Sequence, residues 1–111
     1  MNYFEIKPDG QAYIRTDSGT IIRKVGNGES VNHADFNNNE EMFVITYNSG
    51  RCELRDRKNQ LVRMIAEGNI AEAYFKQYAS EVKRTFLSRK AEVKEYVLLI
   101  MRDGSTQSFD I

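Results

Sequence analysis

The 111-residue chain has no tryptophan, one proline, one cysteine and one histidine, and its charges cancel. Each scarcity excludes something. Cys52 has no intrachain partner for a disulfide, so packing alone must hold the fold, and a reducing compartment suits it. His33 stands alone, which rules out a multi-histidine metal site within one chain and forces any Ser-His-Asp set through that residue. Lys+Arg and Asp+Glu both number 16, so the basic excess of a dedicated nucleic-acid binder is missing. A net charge of zero also gives little protection against self-association. The longest strongly apolar stretch, 96–101, is too short to span a bilayer. The first residues, MNYFEIK, lack the basic stretch and apolar run of a secretory signal. These features predict a soluble cytoplasmic protein with no membrane segment, and the length fits one domain with a modest core.

What is present is a repeat. Residues 3–36 and 43–75 match at an offset of 40: Gly10 with Gly50, Arg15 with Arg55, Ile21-Ile22-Arg23 with Leu61-Val62-Arg63, Val25 with Ile65. After one residue is dropped near Ser30 the match continues, Val31 with Ile70, Ala34 with Ala73, Phe36 with Phe75. Such a unit cannot bury its own apolar face and must stack on a neighbour. Turn signals punctuate the units: Pro8-Asp9-Gly10, Asp17-Ser18-Gly19, Asn48-Ser49-Gly50, Lys58-Asn59 and Asp103-Gly104. Between them lie segments rich in β-branched and aromatic residues, at 3–7, 11–16, 20–25, 42–47, 51–56, 60–65, 97–102 and 106–110. Their alternation predicts strands joined into meanders, the last pair forming a C-terminal hairpin over 97–110.

The region 68–96 reads differently. Asn69 and Glu72 have capping-box spacing, and Phe75, Tyr78, Ala79, Val82 and Phe86 recur at three to four residues. This predicts an amphipathic helix near 76–90, covering 78–87, within a helical segment of about 76–95. For 70–75 the repeat predicts strand and the cap predicts helix.

Residues 30–65, SVNHADFNNNEEMFVITYNSGRCELRDRKNQLVRMI, resemble one blade of a WD-repeat or related β-propeller. Val31, Ala34 and Phe36 stand where such a blade's first strand carries its apolar positions. Gly50 stands at the turn and Asp56 at the end of the third strand. Asp103-Gly104 and Phe109-Asp110 resemble the D-G and W-D positions of a further copy. Arg55 and Phe109 occupy the family's Trp position, Gly28-Glu29 the place of a Gly-His pair, and Thr16 that of the first Asp. Two architectures follow. One is a compact α+β fold, mostly β, whose antiparallel meanders are covered by the helix. The other is a set of partial propeller blades completed by oligomerisation, because a closed propeller uses about four to eight blades.

Candidate chemistry is sparse. Ser30, His33 and Asp35 are close in sequence, and His33 and Asp35 would share a strand face, but no G-x-S-x-G context surrounds any serine. Cys52 reads as a structural thiol. Gly26-Asn27-Gly28 lacks the third glycine and the Lys-Ser/Thr of a phosphate loop, and reads as a turn. No calcium loop appears, so neither cofactor nor metal is expected. The six tyrosines suit packing or an interface. The basic group Lys83, Arg84, Arg89 and Lys90 is the candidate binding patch, diluted by Glu81, Glu92 and Glu95. The leading expectation is a non-catalytic binding or scaffold module that self-associates, as a homo-oligomer, and recognises a macromolecular protein partner. Nucleic-acid or acidic-surface binding through the basic helix is the alternative. A small carbohydrate-binding protein or enzyme is the third.

Overall fold

A computed structural model describes residues 1–80 and 92–111, and over these residues the chain is all-β. Ten strands run in order: β1 (Tyr3–Ile6), β2 (Ala12–Arg15), β3 (Ile21–Val25), β4 (Val31–Phe36), β5 (Met42–Tyr47), β6 (Cys52–Asp56), β7 (Leu61–Ala66), β8 (Ile70–Ser80), β9 (Glu92–Met101) and β10 (Thr106–Asp110). They form three antiparallel meanders, β1-β2-β3, β4-β5-β6-β7 and β8-β9-β10, called sheets I, II and III below. None closes into a barrel.

The α+β expectation is therefore corrected. The segment 76–80 is the end of β8, not the start of a helix, and it pairs in register with β9 from Lys76↔Tyr96 to Ser80↔Glu92. Residues 92–96, expected as the tail of the helical segment, are strand as well. The part of the expected helix at 81–91 lies outside the described residues. The helical period misleads at Tyr78, which fits a buried helix position by spacing alone. It is 44% exposed, and its ring lies 5.8 Å from that of Tyr96. With Tyr78 removed from the apolar stripe, strand alternation remains: Ala73 and Phe75 point to the core, while Tyr74, Lys76 and Tyr78 take the other face. The ambiguity at 70–75 resolves as strand.

The sheets stack as layers. Ala12, Ile14 and Val25 of sheet I pack against Val31, Phe43, Ile45 and Tyr47 of sheet II. Val44, Cys52 and Leu54 on the opposite face of sheet II pack against Ile70, Ala73, Val97 and Leu99 of sheet III. Sheet II is thus covered on both sides, so successive residues 43–47 of β5 and 52–55 of β6 are all buried.

Several positions matched in the sequence have matching strand partners. Ile21 pairs with Arg15 and Leu61 with Arg55, each beside a register shift at the same place. Both residues are about half exposed, at 46% and 51%. Phe36 pairs with Phe43 in the first core cluster and Phe75 with Val97 in the second. The repeat is out of phase with the sheets: 3–36 comprises sheet I plus the first strand of sheet II, and 43–75 the rest of sheet II plus the start of sheet III. Each unit consequently ends inside its neighbour's sheet, which ties the layers together covalently and by hydrogen bonds.

Candidate functional site

The joints between sheets are made by two glycine turns. Gly10 and Gly50 have φ of 86° and 91°, a conformation that glycine adopts without cost. Each donates its N–H back across the turn, to Lys7 O at 2.8 Å and to Tyr47 O at 2.9 Å. Each then accepts, at its carbonyl, the N–H that opens the next sheet: Val31 at 2.9 Å and Ile70 at 3.1 Å. The residue preceding that strand lies so close that a Cβ at Gly10 would meet Ser30 Cβ, and one at Gly50 would meet the Asn69 backbone nitrogen, both at 2.6 Å. Asn69, expected from sequence as a helix cap, is instead left-handed at φ 71° and accepts the Arg102 N–H at 2.9 Å.

A buried polar network reinforces the joint between sheets I and II. The Asn27 N–H donates to the Tyr47 hydroxyl at 2.9 Å, and that hydroxyl donates to Glu53 Oε1 at 2.5 Å. Arg55 Nε donates to the same oxygen at 3.0 Å and its Nη1 donates to Asn59 O at 2.6 Å. The Asn59 amide closes the loop by bonding both the N–H and the carbonyl of Gly26, at 2.8 and 3.1 Å. Gly26-Asn27-Gly28 is therefore a structural turn. Burial, followed by the bond to the Glu53 carboxylate, raises the Tyr47 pKa well above the ordinary phenol value. Sequence reasoning missed this network because Tyr47, Glu53 and Arg55 carry no spacing signal beyond the strand alternation that puts them on one face.

The residues singled out from sequence are dispersed. The Asp35 Oδ2 accepts the Phe75 N–H at 2.9 Å, pinning β4 to β8. The His33 ring lies 4.7 Å from Tyr74, and its buried Nδ1 has no hydrogen-bond partner among the described residues. Ser30 is engaged at the Gly10 joint, and no hydrogen bond joins it to His33 or Asp35, so no triad forms. Cys52 is buried, and desolvation pushes its thiol up to about 11, leaving it protonated and unreactive at neutral pH. Lys83, Arg84, Arg89 and Lys90 lie outside the described residues. Among the described residues no group of three or more His, Cys, Asp or Glu side chains is placed to hold a metal ion. No helix among them is long and apolar enough to cross a membrane.

The Cys52 environment carries a pH consequence. An unfolded thiol ionises near 9.0, whereas the folded one holds its proton to about 11. Its contribution to stability is complete below pH 9 and is lost as pH rises toward 11, about 2–3 kcal/mol in all. Urea unfolding of wild type and Cys52→Ala from pH 8 to 10.5 should show the gap between them narrowing. Parallel profiles would contradict it.

Two surface features remain. A cleft of about 620 Å³ opens between Phe4, Phe36, Phe75 and Lys76. On the outer strands β3 and β7, Ile21, Ile22, Leu61 and Val62 are 46%, 49%, 51% and 52% exposed, at equivalent positions of adjacent sheets. No protein-family model matches the chain, and no curated protein matches it.

Proposed function

We propose that the chain is a non-catalytic binding and scaffold module that self-associates and recognises a protein partner. The observation that carries this reading is the pair of outer strands. Among the described residues β3 and β7 are both sheet edges, with backbone groups along one side left without a neighbouring strand. Each presents two successive large apolar residues, Ile21-Ile22 and Leu61-Val62, to solvent. Isolated exposed apolar side chains are ordinary, but the same pair at two equivalent edges of stacked sheets is an association surface. The layered succession of meanders, each entered from the preceding sheet's last strand, supports kinship with consecutive propeller blades. Three such sheets fall short of a closed propeller, which uses about four to eight blades.

Light scattering at micromolar concentration should give a mass at least twice the 12.9 kDa of the chain. The double variant Ile22→Lys, Val62→Lys should be monomeric with an unchanged far-ultraviolet spectrum. A wild-type protein that stays monomeric would end the self-association reading.

A further inference from the structure

The turn that forms the glycine joints at Gly10 and Gly50 recurs at Gly19 and at Gly104, and Gly104, between β9 and β10, stands where Gly50 stands between β5 and β6, with no described residue filling the socket above it. Gly104 has φ 87°, and its N–H donates to Met101 O at 3.0 Å while the Met101 N–H donates to Ser105 O at 2.8 Å. These are the bonds of the Gly10 and Gly50 turns, displaced by 54 residues from the latter. At Gly10 and Gly50 the space over the glycine is filled by Ser30 and Asn69. At Gly104 none of the described residues comes within 4 Å of the Cβ position.

The adjoining sheet face repeats too. Phe4, Ala12 and Ile14 of sheet I cover sheet II, and Val44, Cys52 and Leu54 of sheet II cover sheet III. The corresponding residues of β9 are Leu98 and Ile100, both half-buried, with Thr106 and Ser108 of β10 as an exposed polar rim. Beside them Tyr74 pairs with Leu98 and its hydroxyl is bonded to Glu72.

We infer that the Gly104 turn and the Leu98–Ile100 face form a docking site for an extended segment of a protein partner. That segment opens with a small polar residue followed by Val or Ile. The inference rests on the reading of the chain as a binding module and names the surface and partner chemistry. The two filled sockets define that chemistry: Ser30-Val31 occupies one and Asn69-Ile70 the other. Each gives a backbone N–H to the glycine carbonyl and then runs on as a strand whose Ala34 and Phe36, or Ala73 and Phe75, enter the apolar layer. A head-to-tail second copy does not fit. The free face of its sheet I offers Tyr3, Glu5 and Lys7 where sheet II offers Phe43, Ile45 and Tyr47, and Glu5 is held by Arg15 at 3.0 Å. Those charges would lose water against Leu98 and Ile100 without gaining partners.

The test uses a fluorescent synthetic peptide with the sequence of residues 28–37, GESVNHADFN, titrated with the whole protein and read by anisotropy. Saturable binding is expected. Gly104→Asn should weaken it at least about tenfold by filling the socket. Asn suits the backbone there, since Asn59 and Asn69 adopt φ of 66° and 71° in the same chain. Ile100→Lys, on the face rather than the turn, should weaken it equally, so a folding defect in one variant does not decide the outcome. Absence of saturable binding to wild type, or equal affinity for both variants, overturns the inference. Peptide that dissociates an oligomer assigns the socket to a second copy and overturns the commitment to a different partner. Failure of peptide binding alongside a persistent oligomer sinks this site while leaving the proposed function standing.

Discussion

Gly50→Ala should lower stability by about 3 kcal/mol or more, whereas Gly104→Ala should cost about 1 kcal/mol. Both glycines sit in the same turn with nearly the same backbone, φ 91° and 87°, so the strain of placing an L side chain there is common to both. The surroundings differ. A methyl group at Gly50 would stand 2.6 Å from the Asn69 backbone nitrogen and 3.2 Å from the Arg102 guanidinium carbon. The guanidinium can swing away. The Asn69 nitrogen cannot, because its neighbour Ile70 is hydrogen-bonded to the Gly50 carbonyl and is 1% exposed in the second core cluster. Relief requires sheet III to move away from sheet II, which breaks that bond and loosens Val44, Leu54, Val97 and Leu99 together. For a domain of this size each kcal/mol corresponds to roughly 4–8 °C, so the Gly50 variant should melt more than about 10 °C below wild type. Equal melting shifts for the two variants would show that the sheets are not joined at the glycine.

The same glycines mark what was legible in the sequence. Equivalence of Gly10 with Gly50 and of Arg15 with Arg55 is a one-dimensional pattern, and it survives into three dimensions because the turns and the strand registers are local. The Arg15 and Arg55 side chains even make the same bond, to the carbonyls of Gly19 and Asn59, the left-handed residues of their turns. The layer order was not legible. Residues 43–47 are buried on both faces, so their apolar run has no period to say which neighbour each side chain meets. The helix expectation failed for a related reason. Along β8 the apolar and aromatic residues serve two environments, a core face and an outer face where Tyr78 and Tyr96 meet at a tilt of 55°, and their union imitates a spacing of three to four. The candidate surfaces were half legible: Ile21-Ile22 and Leu61-Val62 stand out in the repeat, but only the structure shows that both pairs face outward. The buried network around Glu53 was invisible, because charged residues in a strand ordinarily read as its solvated face.

Removing Arg55 should be far more damaging than removing its counterpart Arg15, which supplies an internal control. The Arg55 and Glu53 side chains are only 11% and 3% exposed, and the carboxylate also receives the Tyr47 hydroxyl. Arg55→Met leaves that carboxylate buried without its cation and strips the donor from Asn59 O, a loss of about 3–5 kcal/mol. The Arg15–Glu5 pair has the same 3.0 Å separation but side-chain exposures of 21% and 38%, so water can replace the lost partner. Arg15→Met should cost under about 1 kcal/mol. Urea midpoints of the two variants test the contrast directly. A second arm separates the ion pair from simple packing: Glu53→Leu together with Arg55→Met removes both charges and fills the volume with apolar atoms. The double variant should recover at least half of the single-variant loss, a coupling energy of about 2–3 kcal/mol. Complete recovery is not expected, because the Tyr47 hydroxyl keeps its bond from Asn27 but loses its acceptor, a residual cost of about 1 kcal/mol or more. If Glu53→Leu measured alone and Arg55→Met alone give losses that simply add in the double variant, the charges are solvated after all, and the joint between sheets I and II is held by its apolar contacts alone.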